Sequence, residues 1–210
     1  MQINNYSLEV KGKRLIENCD LQFYQGKFNH IVGKNGVGKS QVAKDFILNN
    51  SGKIDQSIYS NATLISSSSN VPVDITKKYL LKVLKSKFKS ESKLNDLAGM
   101  LQISSIPDNV LIKNLSDGQK QKLKLLSFFL QDKSIIILDE ITNALDKKTI
   151  NDIYDFLNRY LEQHPDKTII NITHNLSDLS NLVGKYFIFK DLYIEEYDSK
   201  EQVINDYINL

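Results

Sequence analysis

Apolar and polar residues alternate in "SLEV" (7–10) and "CDLQF" (19–23), with turn-forming "KGK" and "YQGK" after each run. A period of two predicts paired antiparallel strands over the first thirty residues. "FNHIV" (28–32) does not alternate, which predicts a strand buried on both faces and ending in "GKNGVGKS". Val42, Ala43, Phe46 and Ile47 then recur at helical spacing, with Gly52 as the expected helix stop. "NATLI" (61–65) reads as a short strand, and from Asp74 to about Asn114 the pattern becomes helical and rich in lysine. "SIIILDE" (134–140) and "KTIINIT" (167–173) are two more buried strands. Between them Ile150, Ile153, Leu157 and Leu161 form one helix face, ended by His164 and Pro165. "YFIFK" and "LYIEEY" predict a late hairpin, and Ser199 with Gln202 predicts a capped final helix. Strands alternating with helices mean an α/β fold with a mainly parallel sheet.

Composition narrows this reading only a little. The chain has 210 residues, 41% of them hydrophobic and 25% charged, an ordinary globular mixture for one domain with room for a small insertion. A net charge of +2 gives no argument for nucleic acid, and the single cysteine, Cys19, allows no internal disulfide. The start lacks a signal-peptide layout, and no apolar run approaches the about 18 residues that span a bilayer. The expectation is a cytoplasmic protein whose membrane role, if any, comes through a partner.

Three stretches carry chemistry. Gly33, Lys34, Asn35, Gly36, Val37, Gly38, Lys39 and Ser40 fit G-x-x-x-x-G-K-[ST] between a predicted strand and helix. Glycines there turn backbone N–H groups toward phosphate oxygens, Lys39 supplies a point charge and Ser40 can ligate Mg²⁺. Asp139 and Glu140 close the "SIIIL" strand at the carboxyl end, where ligands of open α/β sheets bind. Asp139 can support a metal; Glu140, pointing the other way along the strand, can polarise an attacking water. His174 closes a third strand at the same edge, whereas His30 reads as a core residue and His164 as a solvated turn residue.

Taken together with "LSDGQ" (115–119) and "NALD" (143–146), these stretches resemble, in order, the motifs of the ATP-binding cassette (ABC) ATPases, over essentially the whole chain. GKNGVGKS is similar to the family's Walker A loop, IIILDE to its Walker B strand, NALD to its D-loop, and the "ITH" ending at His174 to its switch histidine. The resemblance implies a P-loop cassette with a parallel core, an N-terminal antiparallel β subdomain and an inserted helical subdomain at about 74–130 of a single 1–210 domain. It implies ATP with Mg²⁺, held by residues 33–40 and Gln41, with Ser40 and Asp139 on the metal. Lys39, Glu140 and His174 would be catalytic. Two cassettes would pair head to tail, so that Ser116, Gly118, Gln119 and Asp146 serve the nucleotide of the other chain. Glycine weakens a helix at position 118 by up to about 1 kcal/mol, a cost offset, on this reading, by the partner's phosphate.

The implied function is ATP hydrolysis powering a membrane transporter. The partners would be a second cassette, identical or not, and a separate transmembrane permease, which places the chain at the cytoplasmic face of the membrane. No specific nucleic acid is expected. A soluble ABC ATPase of cofactor assembly or DNA repair, and an ATP-gated switch with low turnover, are the alternatives. Several positions depart from the pattern. Asp117 replaces the middle signature glycine, with solvent as its expected surroundings, and Ser66 to Ser69 stand where a glutamine belongs. Ile141 stands where many members carry Pro or Ala, and the adenine-stacking aromatic is replaced near Val10, with Tyr6 as a substitute. Lys78, Lys82, Lys85, Lys89 and Lys93 recur at three- and four-residue steps with Leu80, Val83, Leu84 and Phe88 opposite and no aromatic among them. That basic stripe is either a solvated face or one that meets anionic lipid headgroups or nucleic acid.

Overall fold

The computed structural model describes residues 1–209; Leu210 of the expected 1–210 span lies outside them. The described residues form eight strands: β1 Gln2–Val10, β2 Lys13–Gln22, β3 Phe28–Val32, β4 Ala62–Ile65, β5 Ile135–Asp139, β6 Thr168–Thr173, β7 Gly184–Lys190 and β8 Tyr193–Tyr197. Eight α-helices accompany them: α1 Lys39–Leu48, α2 Gln56–Tyr59, α3 Lys77–Phe88, α4 Glu91–Met100, α5 Asp117–Phe129, α6 Lys147–Gln163, α7 Leu176–Asn181 and α8 Lys200–Asn209. The chain divides into two compact units.

The first unit comprises Met1–Ser66, Lys133–Glu140 and the residues from Leu161 on. β1 and β2 pair antiparallel as a separate two-stranded sheet. The remaining strands form one sheet in the order β4-β5-β6-β3-β7-β8, parallel except for the β7–β8 hairpin. β3, β5 and β6 are buried along their whole length, as unalternating apolar runs require. Phe23, Phe46, Phe187 and Tyr6 pack together beneath the small sheet. α1 ends at Asn49, in left-handed conformation, three residues before the expected stop at Gly52. Asn tolerates that conformation, and its N–H reaches the Asp45 carbonyl and so closes the last turn.

The polar groups of this core are satisfied. Tyr6 is fully buried and donates its hydroxyl to Asp45 Oδ2 at 2.9 Å, and Asp45 also accepts from the Ser51 N–H and hydroxyl. Tyr6 is therefore not available to stack on a base, which corrects that expectation. His30 lies in the core as expected, stacked on Tyr186 at 5.6 Å and 11°. Its Nε2 is 2.6 Å from the Leu182 carbonyl, which can only accept, so Nε2 carries the proton and Nδ1 accepts from Asn171 at 3.2 Å. His164 is half-buried in its turn.

The second unit comprises Ser67–Asp132 and Ile141–Tyr160. α3 and α4 are not one helix. Lys89 takes left-handed φ of 51° and ends α3, and α4 starts afresh after Ser90. The expected stripe is broken there: Lys78, Lys82 and Lys85 belong to α3 and Lys89 is its C-terminal cap, while Lys93 sits on α4 and pairs with Asp132 at 2.6 Å. Leu80 and Leu84 are buried as expected, but Val83 is 40% exposed and Tyr79, beside Lys78, is 55% exposed. An aromatic does stand among the lysines. α5 and α6 pack through Phe129 against Phe156 and Tyr160, with ring centroids at 4.9 and 4.6 Å. Lys122 reaches Asp152 at 2.7 Å in the same interface.

Burial pushes the His30 pKa down to about 4, against the Leu182 carbonyl and the Asp178 carboxylate, which pull it up. The folded state therefore holds His30 neutral, and stability is complete above the unfolded value near 6.5. It should fall as pH drops from about 6.5 toward 4, by on the order of 3 kcal/mol, because unfolding takes up a proton. Urea midpoints of wild type and His30→Gln across that window check this; the variant should lack the His30 share of the slope.

Candidate functional site

Register brings the carboxyl ends of three strands level. Val32 of β3 lies beside Thr173 of β6, and Ile172 of β6 beside Asp139 of β5. The loops leaving these strands carry the glycine-rich stretch, the acid pair and His174, so three segments distant in sequence share one sheet edge. An open cleft of about 390 Å³ lies there, lined by Asn35, Gly36, Gly38, Lys39, Ser40, Gln41 and Glu140.

The loop has the build of an anion cradle. Gly36 and Gly38 hold φ of 83° and 119°, which favour glycine, and open space lies where a Gly36 side chain would point. α1 begins immediately after Gly38, and no side chain caps it. The Gly38 carbonyl accepts from the Gln41 and Val42 N–H groups, while no side chain takes up the N–H groups of the first two helical residues, Lys39 and Ser40, at the positive dipole end beside the cleft. Lys39 is 5% exposed and donates back to the Gly33 and Lys34 carbonyls at 2.6 and 3.0 Å. Burial pushes its ammonium pKa down, while the Glu140 and Asp139 carboxylates pull it up.

Ser40 donates its hydroxyl to Asp139 Oδ1 at 3.1 Å. Asp139 is buried, which raises its carboxyl pKa; the Ser40 hydroxyl works against that rise. Glu140 does not continue the strand. It takes left-handed φ of 54°, its N–H donates to the Ile172 carbonyl at 2.9 Å, and its carboxylate turns to His174 Nδ1, also at 2.9 Å. The expected alternation of strand side chains is replaced by a backbone reversal, which aims Glu140 into the cleft. Among the described residues no cluster of three His, Cys, Asp or Glu could hold a metal alone.

The remaining predicted residues lie in the second unit. Ser116 caps α5 through a full capping box: its hydroxyl accepts from the Gln119 N–H at 3.2 Å, and Gln119 Oε1 accepts from the Ser116 N–H at 3.1 Å. Asp117 is exposed, as expected, and pairs with Lys120 at 3.3 Å. Asp146 caps α6, accepting from the Thr149 N–H and hydroxyl at 3.0 and 2.7 Å, and those bonds lower its carboxyl pKa.

Sequence reasoning missed Thr149. A Cβ placed on Gly118 would stand 2.5 Å from Thr149 Oγ1 and 2.9 Å from its Cγ2. Gly118 is therefore required by packing within the chain, and its helix cost is offset before any partner arrives; the expectation that only a partner's nucleotide offsets it is corrected. The Asp-x-x-Thr cap was legible, but nothing in a linear pattern pairs residue 149 with residue 118.

A glycine-wrapped helix start without a side-chain cap, a buried lysine, a serine–aspartate pair and a glutamate–histidine pair at one edge of a parallel sheet has the build of a P-loop nucleotide-binding site. The sequence profile of the ABC transporter family matches residues 16–143, and the chain belongs to that family. It is an ATP-binding protein and ATPase that powers a membrane transporter. The chain is 57% identical over 209 residues to the probable peptide export ATP-binding protein YydI of Bacillus subtilis, covering 100% of both chains. It is 30% identical to the energy-coupling factor transporter ATP-binding protein EcfA of Pediococcus pentosaceus, over 92% of this chain and 75% of that one. A solved ATP-binding subunit of an ABC transporter superposes with a TM-score of 0.76 at 16% identity, covering 98% of this chain and 92% of that chain, a likeness of fold. Among the described residues no helix is long and apolar enough to cross a membrane.

Replacing Gly118 by Ala sets a gain of helix propensity, up to about 1 kcal/mol, against overpacking of about 1–3 kcal/mol. The contact at Thr149 is short and held by Asp146, so the variant should be net destabilised. Gly118→Ala combined with Thr149→Ala should be more stable than the two single losses add up to. Denaturant melts of the three variants and wild type measure that coupling.

Proposed function

We propose that ATP binds the 33–40 loop with Gln41 beside it, that Ser40 and Asp139 hold its Mg²⁺, and that Glu140 is the general base for in-line attack of water on the γ-phosphate. The observation that carries this is the 2.9 Å contact of Glu140 with His174 Nδ1, with Glu140 lining the same cleft as Lys39. His174 orients the carboxylate and stands ready to contact the γ-phosphate. The hydroxyl–carboxylate pair of Ser40 and Asp139 is a hard-oxygen donor set suited to Mg²⁺, which the nucleotide's own phosphates would complete. Lys39 and the loop N–H groups position the phosphate oxygens, and a bound ion would supply further neutralisation of their charge.

Ser116, Gly118, Gln119 and Asp146 then serve the nucleotide of a second cassette docked head to tail. The capped start of α5, with its dipole end outward, supports that role. A separate transmembrane permease completes the transporter and holds this chain at the cytoplasmic face. The kinship with the Bacillus subtilis protein, whose name specifies peptide export, supports a peptide as the exported substrate. The low-turnover switch is favoured by one observation: Asp117 places an exposed carboxylate at the signature turn, where a partner's phosphates would approach.

Glu140→Gln should lower ATP turnover by about 10²–10⁴-fold while leaving ATP binding intact. It should also trap an ATP-dependent dimer, read by light scattering. Equal turnover in wild type and variant would remove Glu140 as the base, and equally low turnover in both would favour the switch.

A further inference from the structure

Residues 76–90 hold six lysines and no acid, so the chain's +2 is +6 from this segment set against −4 from everything else. Lys77 is spent internally: it is 4% exposed, donates to the Ile103 and Ile106 carbonyls and pairs with Asp108 at 2.8 Å. The other five, Lys78, Lys82, Lys85, Lys87 and Lys89, are exposed. At about 100° per residue Lys78, Lys82, Lys85 and Lys89 gather on the side of α3 away from buried Leu80 and Leu84. Glu91 pairs with Lys85 at 2.5 Å, and Asp108 lies near Lys78. On the shoulder of this face stands Tyr79, 55% exposed, with Val83, 40% exposed, one step farther toward Leu80.

We propose that this face of α3 is a docking surface for an anionic lipid bilayer. Charge complementarity is the first argument: the positive charge is gathered on one helix of a chain that is otherwise net acidic. The kind of cation is the second. All are lysines, compact point charges on long stems, and none is an arginine, whose planar fork suits bidentate recognition of an individual phosphate. A stripe of point charges fits the diffuse field of a headgroup layer, where each lysine near the surface adds to attraction. The third is the apolar pair. Tyr79 borders the lysines and Val83 lies farther round toward Leu80, both exposed rather than filling a core, and tyrosine is favoured at the headgroup level, where its ring and hydroxyl meet different surroundings. One tyrosine does not build the row of stacking platforms that single-stranded nucleic acid uses. The docking is independent of the hydrolysis reading, since it calls for no nucleotide and none of the residues in the cleft.

Co-flotation of the purified full chain with vesicles, without nucleotide, tests the proposal. The chain should float with phosphatidylcholine–phosphatidylglycerol vesicles and not with phosphatidylcholine alone, and added salt should release it. Lys78→Gln, Lys82→Gln and Lys89→Gln together should weaken partitioning by about a hundredfold, at about fivefold per lysine. The same charge loss at exposed Lys13, Lys27 and Lys53 should change it little, and ATPase activity of both triple variants should stay at the wild-type rate. Four results would overturn the proposal. They are no binding to anionic vesicles, equal binding to neutral ones, equal loss in the two triple variants, or stripe-dependent binding of duplex or single-stranded DNA that outcompetes the vesicles at the same salt. The first two need no variant, so a folding defect does not shield the idea.

Discussion

The site depends on the register of β6 against its two neighbours. β6 is buried at all six positions and lies between β5 and β3, so both faces and both edges are occupied. A parallel pair slipped by one residue would turn every side chain to the opposite face, and in a strand buried on both faces that costs packing on each. The ladder therefore locks Val32, Asp139 and Thr173 at nearly one level. Glu140 extends this control by one residue, because its N–H still donates to Ile172 while its φ of 54° reverses the chain. Left-handed backbone costs a non-glycine residue about 1–2 kcal/mol. The ladder bond and the contact with His174 offset it, and the result is a carboxylate facing the cleft instead of lying along the sheet.

A second constraint organises the other unit. α5 and α6 touch near their starts at Gly118 and Thr149, farther along at Lys122 and Asp152, and at the far end of α5 through Phe129 with Phe156 and Tyr160. Contacts in that order make the two helices run parallel, with their positive ends side by side. One end is capped by Ser116 and the other by Asp146. The missing side chain at residue 118 sets how closely the two ends approach. Two neighbouring helix starts bring their positive dipole ends together, and the Ser116 and Asp146 caps meet that concentration of donors within the chain.

Much of this was legible in the linear pattern, and the limits have identifiable causes. Unalternating runs such as "FNHIV" and "SIIIL" marked the buried strands because a parallel sheet leaves no polar face to alternate with. The glycine-rich loop was legible because every element of its chemistry is contiguous. The short helix α7 was missed, since six residues show too little period to detect. The break between α3 and α4 was missed because lysine spacing persists through Lys89, whose left-handed backbone leaves no mark in residue type. Tyr6 read as a substitute for the stacking aromatic because its acceptor, Asp45, lies 39 residues on and holds it in the core. The role of Gly118 needed a contact 31 residues away. Local chemistry is written in the order of residues; contacts across the fold are not.

The treatment of lysine shows how the fold distributes an unwelcome charge. Lys39, Lys77 and Lys122 are buried, and each is met by carbonyls or a carboxylate within hydrogen-bond reach, as the cost of desolvating an ammonium demands. The lysines of α3 are handled in the opposite way. Like charges three and four residues apart each weaken a helix by about 0.2–0.5 kcal/mol, and the stripe contains three such neighbouring pairs, Lys78–Lys82, Lys82–Lys85 and Lys85–Lys89. Lys85 and Lys89 sit in or beside the last turn, where the helix dipole returns part of that cost, and Glu91 returns a little more. Lys78, in the first turn, meets the positive end of the same dipole and gains nothing from it. The fold thus carries residual repulsion on α3 that an acid at any one of these exposed positions would have relieved. An opposing layer of negative charge, as in the proposed docking, would relieve the whole stripe at once, which no single acid on the helix could do.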